Sequence, residues 1–87
     1  MDMLILLKCL CSANGTSGNE NAAAKVAAEL LSEYMPVTVD VRGNVIGDTG
    51  VEGSKILLDA HLDQIGFTVT AIDDKGFLKV ARVGGID

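Results

Sequence analysis

Tryptophan is absent, and the 87 residues hold only two phenylalanines and one tyrosine. A core can still form, because 48% of the chain is apolar, but it has to be aliphatic. Cations are scarce too: seven Lys/Arg stand against twelve Asp/Glu, for a net charge of -5. With no basic stripe to neutralise phosphates, nucleic acid is not an expected partner. The longest apolar run, in "MDMLILLKCLCSA", is too short to span a bilayer. It lacks the basic start of a secretory signal: Asp2 sits where a cation belongs and Lys8 interrupts the run. The expectation is a cytoplasmic chain that does not engage a membrane, with a length that allows at most one small domain or a piece of a larger one. Cys9 and Cys11, two residues apart on a helix, face opposite ways and cannot bridge; two free thiols suit a reducing compartment. Proline and histidine occur once each, as Pro36 and His61.

What is present falls into a clear order. Asp2 can cap a helix over residues 3–12 that is apolar on nearly every side and so expected to be buried. "NGTSG" (Asn14 to Gly18) breaks the chain. Ser17 and Glu20 have the spacing of a capping box, and Ala23, Val26, Ala27, Leu30, Leu31 and Tyr34 then recur on one helical face. That second helix should stop before Pro36. "VTVDV" alternates, "RGN" turns and "VIG" returns, which reads as an antiparallel pair. "KILLDAH" is apolar on both faces, as a strand covered on both sides would be. "GFTVTAI" and "GFLKVARV" flank "DDKG" as a second hairpin. The fold class expected is α/β, and the turn-like ending "VGGID" suggests a piece of a larger protein.

The chemistry centres on "LLDAHLDQIGF". In an extended segment His61 and Asp63 project from the same face. A metal-ligating histidine commonly needs a carboxylate to fix its ring and tautomer, and His-x-Asp at a strand end can provide one. The plainer reading is a histidine at the edge of a core, with Asp63 bonding loop amides. A catalytic zinc site usually takes three protein ligands, and no second cluster converges on His61: Asp40, Asp48, Asp73, Asp74 and Asp87 all read as turn or edge residues. "GTSGNE" follows a helix instead of a strand, so it fits neither phosphate-cradling motif. Ser17 reads as a cap, since no base is placed to activate it.

Four motifs in order, "GTSGNE", "DVRGNVIG", "LLDAHLDQIGF" and "IDDKGFLKVARVGGID", resemble the N-terminal stretch of metallopeptidase family 42. The resemblance runs from about Leu4 to Asp87. It implies a two-metal exopeptidase that removes N-terminal residues from peptides, with two divalent ions (zinc or cobalt) polarising the scissile carbonyl and activating water. It makes His61 a metal ligand and Asp63 the carboxylate that supports the catalytic site from behind; Gln64 stands where the family often has Glu. It also implies that residues 1–65 begin the catalytic α/β domain, a di-zinc aminopeptidase sandwich, and that residues 66–87 begin an inserted β-barrel used for dimer assembly. The other ligands and the general base would lie downstream. On that pattern this chain alone is inactive, holds no metal stably and self-associates through exposed edges. Two alternatives stay open: a fragment of a family-20 di-zinc peptidase or deacylase, and a non-enzymatic oligomerisation or binding module.

Overall fold

The structure, a computed structural model, describes residues 2–86. Met1 and Asp87, the outer ends of the two expected segments, lie outside the described residues.

Helix α1 spans Met3–Ser12 and begins where Asp2 places a carboxylate oxygen 2.8 Å from the Leu4 amide, which donates to it. Helix α2 spans Asn21–Ser32. Its exposed side carries Asn21, Lys25, Glu29 and Ser32, while Ala23 and Ala24 are buried and Val26, Ala27, Leu30 and Leu31 are half-buried. The helix ends as the amides of Tyr34 and Met35 both turn back to the Leu31 carbonyl, just ahead of Pro36, which cannot continue it. Strands β1 (Val37–Val39) and β2 (Val45–Gly47) pair antiparallel, as do β3 (Gly66–Ile72) and β4 (Leu78–Val83). These make two separate two-stranded sheets.

Helix α2 is the hub, packing against both α1 and the β1–β2 hairpin. Among the described residues, β3 and β4 pack on no other helix or strand. The molecule therefore extends 60 × 28 × 22 Å with a radius of gyration of 16.9 Å; a compact domain of this length would have about 12 Å.

Two expectations are corrected here. Helix α1 is not enclosed: Met3, Leu4, Ile5 and Leu7 are each half exposed or more. "KILLDAH" forms no strand, and Ile56, Leu57 and Leu58 are 86–90% exposed. Apolarity on both faces signals that a segment needs cover on both faces; it supplies neither the neighbouring strands nor the layers. The described residues build an α/β arrangement of two helices and two antiparallel hairpins.

One irregularity matters in β3. The ladder pairs Val69 with Val80 and then Ala71 with Lys79, leaving Thr70 as a bulged residue without a partner. Its hydroxyl donates to the Lys79 carbonyl at 3.2 Å. Pairing places Phe67, Val69, Ile72, Leu78 and Val80 on one face, where they are 51–68% exposed.

Candidate functional site

The site begins with a close approach of two segments far apart in sequence. Thr16 and Gln64 form an isolated parallel bridge. The Ser17 amide donates to the Gln64 carbonyl at 3.0 Å, and the Gln64 amide donates to the Gly15 carbonyl at 2.8 Å. Gly15 is buried beneath this contact; a Cβ there would sit 3.2 Å from both the Ala23 Cβ and the Leu62 carbonyl oxygen. A side chain there would need its neighbours to give by a few tenths of an ångström. The bridge continues into the start of β3, where a Cβ on Gly66 would come 2.8 Å from the Thr16 hydroxyl. The loop is also tied to α2, because the Ala23 amide donates to the Asn14 carbonyl at 3.2 Å.

The loop's second role differs from the capping box expected for it. Glu20 is the N-cap residue of α2 and makes no side-chain cap bond. Its carboxylate instead accepts from the Gly18 amide at 2.6 Å, closing the turn that precedes the helix. Ser17 is thus released from the helix start and lines a cleft with His61, Asp63, Gln64, Ile65 and Gly84. The cleft measures about 330 Å³. The spacing of Ser17 and Glu20 pointed to the helix start alone; no local signal in the sequence linked Ser17 to a segment some forty-five residues on.

His61 and Asp63 come together as their spacing suggested. His61 Nδ1 lies 3.1 Å from Asp63 Oδ1 and 3.1 Å from the Asp63 carbonyl oxygen. Both oxygens are acceptors, so Nδ1 carries the proton and donates. In the neutral imidazole this tautomer leaves the Nε2 lone pair free. The imidazole is 85% exposed and the Asp63 side chain 44%. The Ser17 side chain foremost, and then the His61 ring, hold the Asp63 carboxyl below its ordinary value. An ionised Asp63 is the form that orients the ring.

The donor chemistry therefore fits one arm of a metal centre: an imidazole with its distal nitrogen free and its proximal nitrogen fixed by a carboxylate. It does not complete one. Among the described residues no group of three His, Cys, Asp or Glu is placed to hold a metal ion, and Asp40 and Asp73 are committed to turns. A second cleft, of about 400 Å³, lies between α1 and α2 and is lined by Leu6, Leu10, Ala27, Leu30, Leu31, Tyr34 and Leu62. It offers apolar surface and no donor set. Cys9 and Cys11 are exposed and unpaired with each other. No helix among the described residues is long and apolar enough to cross a membrane.

Comparison with known proteins gives this geometry a context. The chain is similar to a TET aminopeptidase from a marine-sediment Thaumarchaeota archaeon, with a TM-score of 0.82 and 33% identity over 94% of this chain and 24% of that one. It is 43% identical over 86 residues to the "Putative aminopeptidase" of Acetivibrio thermocellus, covering 98% of this chain and 26% of that protein. It is 32% identical over 83 residues to the lysyl aminopeptidase of Pyrococcus furiosus, covering 93% of this chain and 24% of that protein. These likenesses define one class, the aminopeptidases. The profile described as M42 glutamyl aminopeptidase matches residues 43–87, more than half of the sequence. The chain belongs to that family. It spans about a quarter of the length of the curated relatives it matches.

Proposed function

We propose that these residues form part of a metal-dependent aminopeptidase that hydrolyses N-terminal residues from peptides, and that the 87 residues alone do not turn over substrate. The observation that carries this reading is the exposed His61, whose Nδ1 lies 3.1 Å from Asp63 Oδ1. His61 is the residue that would hold a divalent ion, zinc or cobalt, at one of two metal positions. Asp63 keeps the ring in the tautomer that ligation requires and offsets positive charge at the imidazole. Lewis-acid polarisation of the scissile carbonyl and activation of water are the chemistry the ions supply when bound. A single imidazole arm binds such an ion weakly, which is why the remaining ligands and a general base are assigned to sequence outside these 87 residues.

The same reading divides the chain at the cleft. Residues 1–65 contribute to the catalytic domain, and residues 66–87 supply the first hairpin of an inserted β-barrel used in assembly. The bare hairpin faces and the exposed Ile56–Leu58 segment support self-association of the isolated chain. The proposed setting is cytoplasmic.

Assay of the chain with aminoacyl chromogenic substrates and added zinc or cobalt tests the proposal. No turnover above buffer is expected. Turnover that disappears in His61→Ala would overturn the inactivity of the isolated residues. In the longer protein that contains them, His61→Ala should remove close to one metal ion per chain, measured by elemental analysis. Unchanged metal content would overturn the ligand assignment. Light scattering at micromolar concentration should find an oligomer; a stable monomer would remove the self-association.

A further inference from the structure

Asp63 and Gln64 share one peptide unit, and both of its polar ends are engaged. On one side its N–H, the Gln64 amide, donates to the Gly15 carbonyl at 2.8 Å. On the other its carbonyl oxygen, that of Asp63, lies 3.1 Å from His61 Nδ1. No cis peptide bond occurs among the described residues, so this C=O and N–H point in opposite directions in one plane. Holding the N–H therefore aims the carbonyl. The next peptide is held as well, because the Gln64 carbonyl accepts from the Ser17 amide at 3.0 Å. Gly15 is in turn anchored: it is buried, and the neighbouring Asn14 carbonyl accepts from the Ala23 amide of α2 at 3.2 Å.

The result is a continuous run from α2, through the loop and one peptide plane, to the imidazole. A peptide whose N–H donates is also the better acceptor at its carbonyl, since hydrogen bonds in a chain polarise one another. The Asp63 carboxylate lies 3.1 Å from the same Nδ1, but it sits on a half-exposed side chain that can turn about its own bonds. The carbonyl is fixed by the backbone. We propose that Gly15 is a positioning residue: by accepting from the Gln64 amide it fixes the Asp63–Gln64 peptide plane, and that plane presents the Asp63 carbonyl to His61 Nδ1–H and so sets the tautomer and direction of the ring. The consequence for ion binding rests on the reading of His61 as a ligand; the effect on the tautomer does not.

The sequence contains one histidine, so the imidazole nitrogens of the ¹⁵N-labelled chain give a single NMR pattern. At a pH of about 8 an imidazole is neutral, and the shifts report the ratio of the Nδ1–H to the Nε2–H form. Gly15→Ala puts a Cβ 3.2 Å from the Leu62 carbonyl oxygen and from the Ala23 Cβ, which pushes the loop off the segment and lengthens the Gly15–Gln64 bond. The scalar coupling across that bond should weaken, and the tautomer ratio should fall about twofold, the low end for losing a modest hydrogen bond. A weakened coupling with an unchanged ratio overturns the proposal. Gln64→Ala keeps the backbone bonds and should leave the ratio as it was; a fall equal to that in Gly15→Ala would give the effect to the side chain and overturn the backbone route. If Gly15→Ala leaves the coupling intact, or loses the α2 amide signals, warming the unaltered chain below its unfolding transition decides. Coupling and ratio that decline together, after correction for the drift of free histidine, support the proposal. A ratio that holds while the coupling declines overturns it.

Adding zinc chloride to the same samples separates the two readings. Zinc that perturbs Nε2 in the unaltered chain, and does so about twofold more weakly in Gly15→Ala, supports both. A tautomer response without any zinc effect supports the positioning role and overturns the ligand reading. Zinc binding at His61 that is equal in both chains, with no tautomer response, overturns the positioning role and spares the ligand.

Discussion

In the β1–β2 hairpin, Asp40 accepts the amide hydrogens of Arg42 and Asn44, each at 2.9 Å. In the β3–β4 hairpin, Asp73 accepts those of Lys75 and Phe77, again each at 2.9 Å. Both turns then place glycine at positive φ, Gly43 at 85° and Gly76 at 84°. The same five-residue chemistry, "DVRGN" and "DDKGF", closes the two ladders. Beyond the turn they diverge. Gly47 lies so close beneath α2 that a Cβ would come 2.6 Å from Met35 Sδ and 2.7 Å from Leu31 Cδ2, whereas both faces of β3–β4 stand in solvent. Turn chemistry is enough to form a hairpin and set its register. Burial requires a second element, and only the shorter hairpin has one.

The largest expected effect comes from attacking that difference directly. Gly47→Leu has to push Met35 and Leu31 aside and should destabilise the β1–β2 region by about 1–3 kcal/mol, read as an earlier urea midpoint for its amide signals. Phe67→Ser, on the bare face of β3, should change the midpoint of its own hairpin by less than about 0.5 kcal/mol. Equal effects at the two positions would mean that α2 does not hold the first hairpin. Next in size is a change that should treat the hairpins alike. Gly43→Ala and Gly76→Ala force a side chain into the left-handed region, costing about 1 kcal/mol each. Amide hydrogen exchange at Asp40 and Asp73 should quicken by similar factors, and a strong asymmetry would show that the turns are not equivalent.

The smallest effect is a pH dependence in the first turn. The Asn44 side chain foremost, with the Asn44 and Arg42 amides, holds the Asp40 carboxyl below its ordinary value of 3.8. A lowered folded value stabilises the ionised form in the folded state. That contribution is fully present above 3.8 and is lost as pH falls through the lower folded value. Exchange of the Asn44 amide, corrected for its intrinsic rate, should therefore show protection lost on acidification, and Asp40→Asn should abolish that pH dependence. Protection that persists unchanged in acid would remove the carboxylate from the account of the turn.

Local signals carried most of the secondary structure. Asp2 as a cap, Pro36 as a stop and the two Asp-to-Gly turns act within a few residues, so α1, α2 and both hairpins appear where the pattern placed them. The failures involve partners. Ile56, Leu57 and Leu58 were expected to be buried, because apolarity records what a segment requires and not whether the cover lies in the same 87 residues. At the site, the pairing of His61 with Asp63 was readable because two residues in extended chain share a face. The approach of Ser17 was not, because the Thr16–Gln64 bridge that brings it there spans two segments with no common periodicity, and a serine three residues before a glutamate already had a sufficient local explanation.

Thr70 has a consequence for how this hairpin could change in length. Because it opposes no residue of β4, deleting it would join Val69 to Ala71 as ordinary neighbours. Val69 would still face Val80, and Ile72 would still face Leu78. Losing one residue from β4, or from β3 away from the bulge, would turn every side chain beyond it to the opposite face. What the deletion would remove is the local bend and added twist that a bulge imparts. Thr70 is therefore a spacer: at this point the strand can be shortened and straightened while the identity of each of its two surfaces is kept.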